Sequence, residues 1–470
     1  MIMNPGYKRR IKIIFSVILI GFTSALSQTG DKMLNSEEQA QILHTISRLI
    51  MQNYIHKEIG DTCARFLEKQ IDSNAYSEIT HPREFSDRVT TDLLSVHQDK
   101  HIRLQSVEPD ENKLEGENPL LVFFLHAQEE RKGDMGIREV KIFSGNIGYL
   151  DLRSFEPLEL SQPRIINALQ LIQNTDAVII DLRNNNGGNP ATVQFLCSWF
   201  FSDSLTLNQI FWRRGNYTEY FRVIEDMGIP KRPQVPLFIL CGGRTFSAAE
   251  EFAYNLQAQR RATIIGEQTA GGANPGYSFA INERFNIFIP TGESINPVTK
   301  SNWEGSGVRP DIAIQEQNVL SFAIEKAARA ARIYREKTDD LAVEILADMA
   351  RRLYTAVDLF KTGKDTAANE IVYSVLTRGI SERLIGEWEI NTLGYRYLVQ
   401  KEYPIALALL MFNVQSFPYS SNAYDSLGEA FLKSGVPDKA LIHYRKSLEL
   451  NPDNQNARLM IKEIEAMEHK

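Results

Sequence analysis

The chain has 470 residues, of which 43% are hydrophobic and 24% charged, which supports two to four packed units and excludes large-scale disorder. Its formal net charge of −7 argues against nucleic acid as a partner. The three cysteines, Cys63, Cys197 and Cys241, are too scattered for a disulfide framework or a zinc-ligand spacing, and the last two sit in apolar runs that suit buried thiols.

Residues 1–27 read as an export signal. Lys8, Arg9, Arg10 and Lys12 precede an apolar run from Ile13 to Leu26, shorter than the roughly 20 residues a bilayer-spanning helix needs. Ala25 and Ser27 are the small residues a signal peptidase accepts, so cleavage is expected before Gln28 and an exported, periplasmic or extracellular protein follows. If the signal is not cleaved, the same run becomes a membrane anchor.

Residues 34–105 predict a small helical domain: Ile42, Ile46, Leu49 and Ile50, then Phe66, Leu67 and Ile71, recur at helical spacing. Residues 110–316 change texture. Short apolar runs at 148–152, 177–182 and 237–240 alternate with helical patterns at 163–173 and 248–256, which predicts an α/β domain with buried, largely parallel strands. Residues 317–389 predict a helical connector. In 390–470 a period of 34 residues relates Leu393-Gly394 to Leu427-Gly428, Ala406-Leu407 to Ala440-Leu441 and Pro418 to Pro452. That pattern resembles tetratricopeptide repeats, which implies paired helices and a groove for a protein partner.

Four segments carry chemistry. Thr245-Phe246-Ser247-Ala248-Ala249-Glu250 follows a strand and a Gly242-Gly243 turn and opens a helix. Ser247 there is either a nucleophile beside free backbone N–H groups or, with Glu250 three residues on, half of a capping box. Asp181-Leu182-Arg183-Asn184-Asn185-Asn186-Gly187-Gly188 ends a strand with two glycines, whose unobstructed amides suit an oxyanion site as well as a plain turn. His97-Gln98-Asp99-Lys100-His101 closes the helical domain and offers a base of near-neutral pKa. Asn302-Trp303-Glu304-Gly305 brings a late carboxylate that either orients a histidine or pairs with Arg309. No metal-ligand cluster, phosphate loop or Gly-x-Ser-x-Gly elbow occurs, so no metal or cofactor is expected and the chemistry on offer is that of a hydroxyl.

Taken in order, these segments resemble the tail-specific (C-terminal-processing) serine protease superfamily, in the branch that includes interphotoreceptor retinoid-binding protein and the tricorn core. The resemblance implies a crotonase-like spiral of β-β-α units, with Ser247 as nucleophile and the amides of Ala248 and of Gly187 or Gly188 as oxyanion donors. Members with a serine-lysine dyad carry a lysine soon after Gly-Glu-x-Thr. Here Gly266-Glu267-Gln268-Thr269 leads into Ala270-Gly271-Gly272, so the resemblance turns to the tricorn-like arrangement, with His101 as base and Glu304 as third member. The residue before that histidine is a serine in the tricorn site and Lys100 here. No PDZ pattern lies between Leu104 and Gly145. The implied function is an exported peptidase acting on peptides or unfolded proteins. The alternative is an inactive carrier of the same fold, holding an apolar ligand or peptide among Phe195, Trp199, Phe200, Phe211, Trp212 and Tyr217.

Overall fold

The computed structural model describes residues 33–107 and 134–468, with single positions at 120, 124 and 128 between them. The expected export signal, and most of the stretch searched for a PDZ segment, lie outside the described residues. By internal packing the chain separates into two compact units at Ala327/Ala328.

The first unit opens with three helices, α1 (Ser36–Asn53), α2 (Lys57–Asp72) and α3 (Pro82–Val96). Asn35 starts α1 through a capping box: its Oδ1 accepts the Glu38 N–H at 2.9 Å, and Glu38 Oε2 accepts the Asn35 N–H at 3.2 Å. Pro82 starts α3 at a position where a missing N–H costs nothing. The apolar stripe of α1 does not close on the helices alone. Ile42, Ile46 and Ile50 share a core with Leu104, Phe285, Ile287 and Ile289. The link is β1 (Arg103–Ser106), which pairs antiparallel with a strand far along the chain, placing Leu104 opposite Ile287.

From 137 onward the α/β part is assembled from β2 (Ile137–Phe143), β3 (Ile147–Leu152), α4 (Leu158–Leu171), β4 (Ala177–Asp181), α5 (Pro190–Ser198), β5 (Thr206–Trp212), β6 (Tyr217–Arg222), β7 (Leu237–Cys241), α6 (Ala248–Ala258), β8 (Thr263–Gly266), β9 (Gly276–Asn282), β10 (Phe285–Pro290), β11 (Gly292–Ile295) and β12 (Ile312–Ala313). A six-stranded sheet runs β12-β8-β7-β4-β3-β2, parallel except for the β2–β3 pair. Every residue of β4 and β7 is buried, as expected of strands covered on both faces by helices. Leu196, Phe252 and Leu256 pack there against Val178, Ile180 and Ile239. Two three-stranded antiparallel sheets, β1-β10-β9 and β11-β5-β6, complete the unit. All three cysteines are free and buried.

The second unit is helical, comprising most of α7 (Val319–Lys361), then α8 (Asp365–Ser381), α9 (Glu387–Val399), α10 (Tyr403–Ser416), α11 (Ser421–Lys433), α12 (Pro437–Leu450) and α13 (Gln455–Glu468). The residues that recur at 34 fall at matching places in it: Gly394 of α9 packs against Leu410 of α10, and Gly428 of α11 against Tyr444 of α12. No helix among the described residues is long and apolar enough to cross a membrane.

Candidate active site

The C-terminal ends of β4 and β7 deliver two loops to one place. Asn185 joins them. Its Nδ2 donates to Leu152 O at the end of β3, its Oδ1 accepts the Gly187 N–H at 2.8 Å, and its carbonyl accepts the Phe246 N–H at 3.1 Å. Thr245 adds a second tie, donating its hydroxyl to Leu182 O at 2.7 Å. Ser247 emerges from this clamp with φ 55° and ψ −121°, a strained backbone for a residue with a side chain and one that persists only where surrounding bonds over-determine it.

Those bonds come largely from Glu250. Its Oε2 accepts the N–H groups of Ser247 and Gly272, both at 2.9 Å, and its Oε1 accepts the Gly271 N–H at 2.6 Å and the Thr269 hydroxyl at 2.5 Å. Burial raises the Glu250 pKa, and these donors oppose the shift. The capping box expected at Ser247 is therefore only half made. Glu250 caps the Ser247 amide, while the hydroxyl makes no cap hydrogen bond. It turns instead to His101, whose Nε2 lies 3.0 Å from Ser247 Oγ.

His101 is delivered by the turn between α3 and β1, so the pairing of β1 with β10 sets its position. Its side chain is 9% exposed and lies against Phe246, ring centroids 4.6 Å apart, and Phe288, at 6.0 Å. Gly272 makes this approach feasible. A Cβ there would stand 2.7 Å from His101 Cε1 and 2.3 Å from the Phe246 ring, so the space a side chain at 272 would fill is the space the imidazole edge occupies. Lys100, the departure noted in the sequence, points elsewhere and donates to Ala270 O at 2.5 Å.

The expected oxyanion donors divide. The Gly187 N–H is already committed to Asn185 Oδ1, which corrects its candidacy as a donor. Gly188, at φ 137°, a conformation open to glycine, lines a cleft of about 570 Å³ together with Ser247, Ala248 and His101. The backbone N–H groups of Gly188 and Ala248 make no hydrogen bond among the described residues. Trp212, Phe221, Tyr277 and Trp303 contribute apolar walls, with Trp212 and Tyr277 stacked at 5.5 Å. Of the six aromatic residues considered for an apolar ligand, Phe195, Trp199 and Phe200 are core, and Trp212 is the one on this cleft.

Glu304 also arrives beside His101. Its Oε2 accepts the Ala273 N–H at 2.6 Å, and no ion pair joins it to Arg309 among the described residues. Trp303 anchors the turn by donating its indole N–H to Gly272 O at 2.7 Å. The sequence reading passed over Asp99, Tyr54 and Asn274. Asp99 Oδ1 lies 3.7 Å from His101 Nδ1, and Asp99 Oδ2 accepts the Tyr54 hydroxyl and the Asn274 side-chain amide. The signal for Asp99 was present, since it stands two residues before the histidine in one short turn. Asp99, His101 and Glu304 form the one group of described side chains whose donor atoms converge at metal-ligand spacing, within 4.8 Å. Most of their oxygens are already occupied by protein donors.

Comparison with known proteins finds a peptidase family. Residues 146–314 match peptidase family S41, and residues 24–133 match the N-terminal domain of peptidase S41 in eukaryotic IRBP. The chain is 28% identical over 183 residues to a carboxyl-terminal-processing protease of Synechocystis, covering 38% of this chain and 40% of that protein. It is 31% identical over 130 residues to one from Picosynechococcus, covering 27% and 29%. The chain thus spans about two fifths or less of the length of these curated relatives. Among solved structures, the photosystem II D1 C-terminal processing protease aligns at a TM-score of 0.40 and 14% identity, over 62% of this chain and 96% of that one. The segment that carries the serine, the glycine loop and the late glutamate is the one that matches peptidase family S41.

Proposed function

We propose that the protein is a serine-type peptidase in which Ser247 is the nucleophile and His101 the base. The observation that carries this reading is the 3.0 Å approach of His101 Nε2 to Ser247 Oγ, within hydrogen-bond reach for proton transfer. His101 takes the hydroxyl proton as Oγ attacks a peptide carbonyl carbon. The amides of Ala248 and Gly188 hold the oxyanion, and the C–N bond breaks as His101 returns the proton to the leaving amine. Water then attacks the acyl ester with His101 again taking the proton, and Ser247 is regenerated. The apolar cleft walls favour an extended peptide or an unfolded protein segment with an apolar side chain near the cut. Export through residues 1–27 and binding of a protein partner by the tetratricopeptide-like helices of 390–470 belong to the same proposal.

Labelling with a fluorophosphonate probe tests the core of it. Wild type should label and Ser247→Ala should not, while His101→Ala should slow labelling by about 100-fold or more. Equal labelling of wild type and Ser247→Ala would overturn the assignment.

A further inference from the structure

The base side of the cleft holds one more carboxyl group than a serine, a histidine and a late glutamate require. Asp99 is fully buried, and both of its oxygens are engaged. Oδ1 accepts the His101 backbone N–H at 3.0 Å, and Oδ2 accepts the Tyr54 hydroxyl at 3.0 Å and the Asn274 amide at 3.1 Å. Glu304 has one oxygen on the Ala273 N–H, and its Oε1 is buried without a hydrogen-bond partner. His101 Nδ1 is also buried without one. One atom from each of the three side chains falls within 4.8 Å of the others.

Two anions this close in a space sealed from water repel strongly, so one carboxyl holds the charge and the other a proton. Donors decide which. Asp99 receives a hydroxyl, a side-chain amide and a backbone N–H, whereas Glu304 receives only backbone amides, from Ala273 and Asn274. Resting on the reading of Ser247 and His101 as nucleophile and base, we propose that Asp99 is the positioning residue that carries the negative charge beside His101, with Glu304 its neutral, proton-bearing neighbour.

The titration tendencies run the same way. Burial and the Asp99 charge push Glu304 up to about 8. Burial would raise Asp99 too, but hydrogen bonds from His101 and Asn274 outweigh it and hold Asp99 below the usual carboxylate value. Tyr54, Cys63 and Glu250 are further titratable groups that act on this pair. In the resting enzyme His101 carries its proton on Nδ1, toward Asp99, and presents the Nε2 lone pair to Ser247. When Nε2 takes the Ser247 proton, the imidazolium charge forms beside Asp99, which stays ionised, and Glu304 keeps its own proton throughout.

The test compares single substitutions in the full chain, reading kcat and KM on a fluorogenic peptide that wild type cleaves, from about pH 5 to about pH 9. Asp99→Asn should lower kcat by on the order of 100-fold at little-changed KM. Glu304→Gln should lose at least about tenfold less than Asp99→Asn at about pH 7. A larger loss in Glu304→Gln, or wild-type kcat in Asp99→Asn, would overturn the proposal. Should Asp99→Asn not fold, Tyr54→Phe, which removes one Asp99 donor, is expected to lower kcat several-fold at constant KM, and wild-type kcat in it would count against the proposal. Failure of the underlying reading looks different: Ser247→Ala would label like wild type whatever Asp99 and Glu304 do.

Discussion

The nucleophile side of the cleft is held by hydrogen bonds within the loops of the six-stranded sheet, several of them between near neighbours in sequence, whereas the base side depends on bonds that join the helical start to the α/β part. Gly187 and Asn185 are two residues apart, and Ser247 and Glu250 are three apart. On the other side, Tyr54 and Asp99 are separated by 45 residues and Asn274 and Asp99 by 175. The first kind of site is fixed once β3, β4 and β7 pair and their loops meet. The second exists only when α1–α3 dock through β1 onto β10, so its geometry depends on the packing of the unit as a whole.

Gly272→Ala should expose that dependence most sharply. The added methyl meets His101 Cε1 at 2.7 Å and the Phe246 ring at 2.3 Å. Something must move, and displacing a reacting group by about 1 Å costs on the order of 100-fold in rate. The fluorophosphonate labelling rate is expected to fall by that amount, while Ser247 and the amides of Gly188 and Ala248 stay in place. Labelling within about threefold of wild type would mean that the imidazole tolerates displacement and that the base side is less constrained than its long-range bonds imply.

Asn185→Ala is the corresponding probe of the nucleophile side. It strands the Gly187 N–H and Leu152 O, at a cost of about 2–3 kcal/mol in stability for a fully buried amide. Because Thr245 and Glu250 still tie the Ser247 loop, labelling is expected to fall only about tenfold. Chemical denaturation read beside labelling separates the two effects. A drop in labelling larger than that of Gly272→Ala would reverse the comparison.

This asymmetry explains what could be read from the residues in advance. Ser247, Glu250, Gly187 and Gly188 lie inside contiguous strings whose turn and cap chemistry is local, and the α/β texture and the buried strands followed from runs such as 177–181. The pairing of β1 with β10 was not legible. It joins Arg103 to Phe288, and nothing in a four-residue strand names a partner 185 residues away. Tyr54, just past the end of α1, carries no sign of its partner, and Asp99 carries none beyond standing two residues before His101. Only the docked structure brings both to one histidine. The choice between Gly187 and Gly188 likewise waited on Asn185, whose side chain consumes one amide and leaves the other.

The smallest expected effect concerns pH. Each side of the cleft buries a carboxyl whose pKa is raised first by burial: Glu251, up to about 7, one helical turn beyond Ser247, and Glu304, up to about 8. In the unfolded chain both ionise near 4.5. Below that value both states hold the proton, and these groups leave stability independent of pH. Between about 4.5 and about 7 the unfolded state binds fewer protons than the folded state at both sites, so stability falls as pH rises. From about 7 to about 8 only Glu304 still contributes to the slope. Thermal unfolding should therefore move down by a few degrees across this range and level off above it. Glu251→Gln should flatten the lower part of the curve and Glu304→Gln the whole of it up to about 8. An unchanged slope between about 7 and about 8 in Glu304→Gln would mean that Glu304 is already ionised at neutral pH, and the division of charge and proton between it and Asp99 would fail with it.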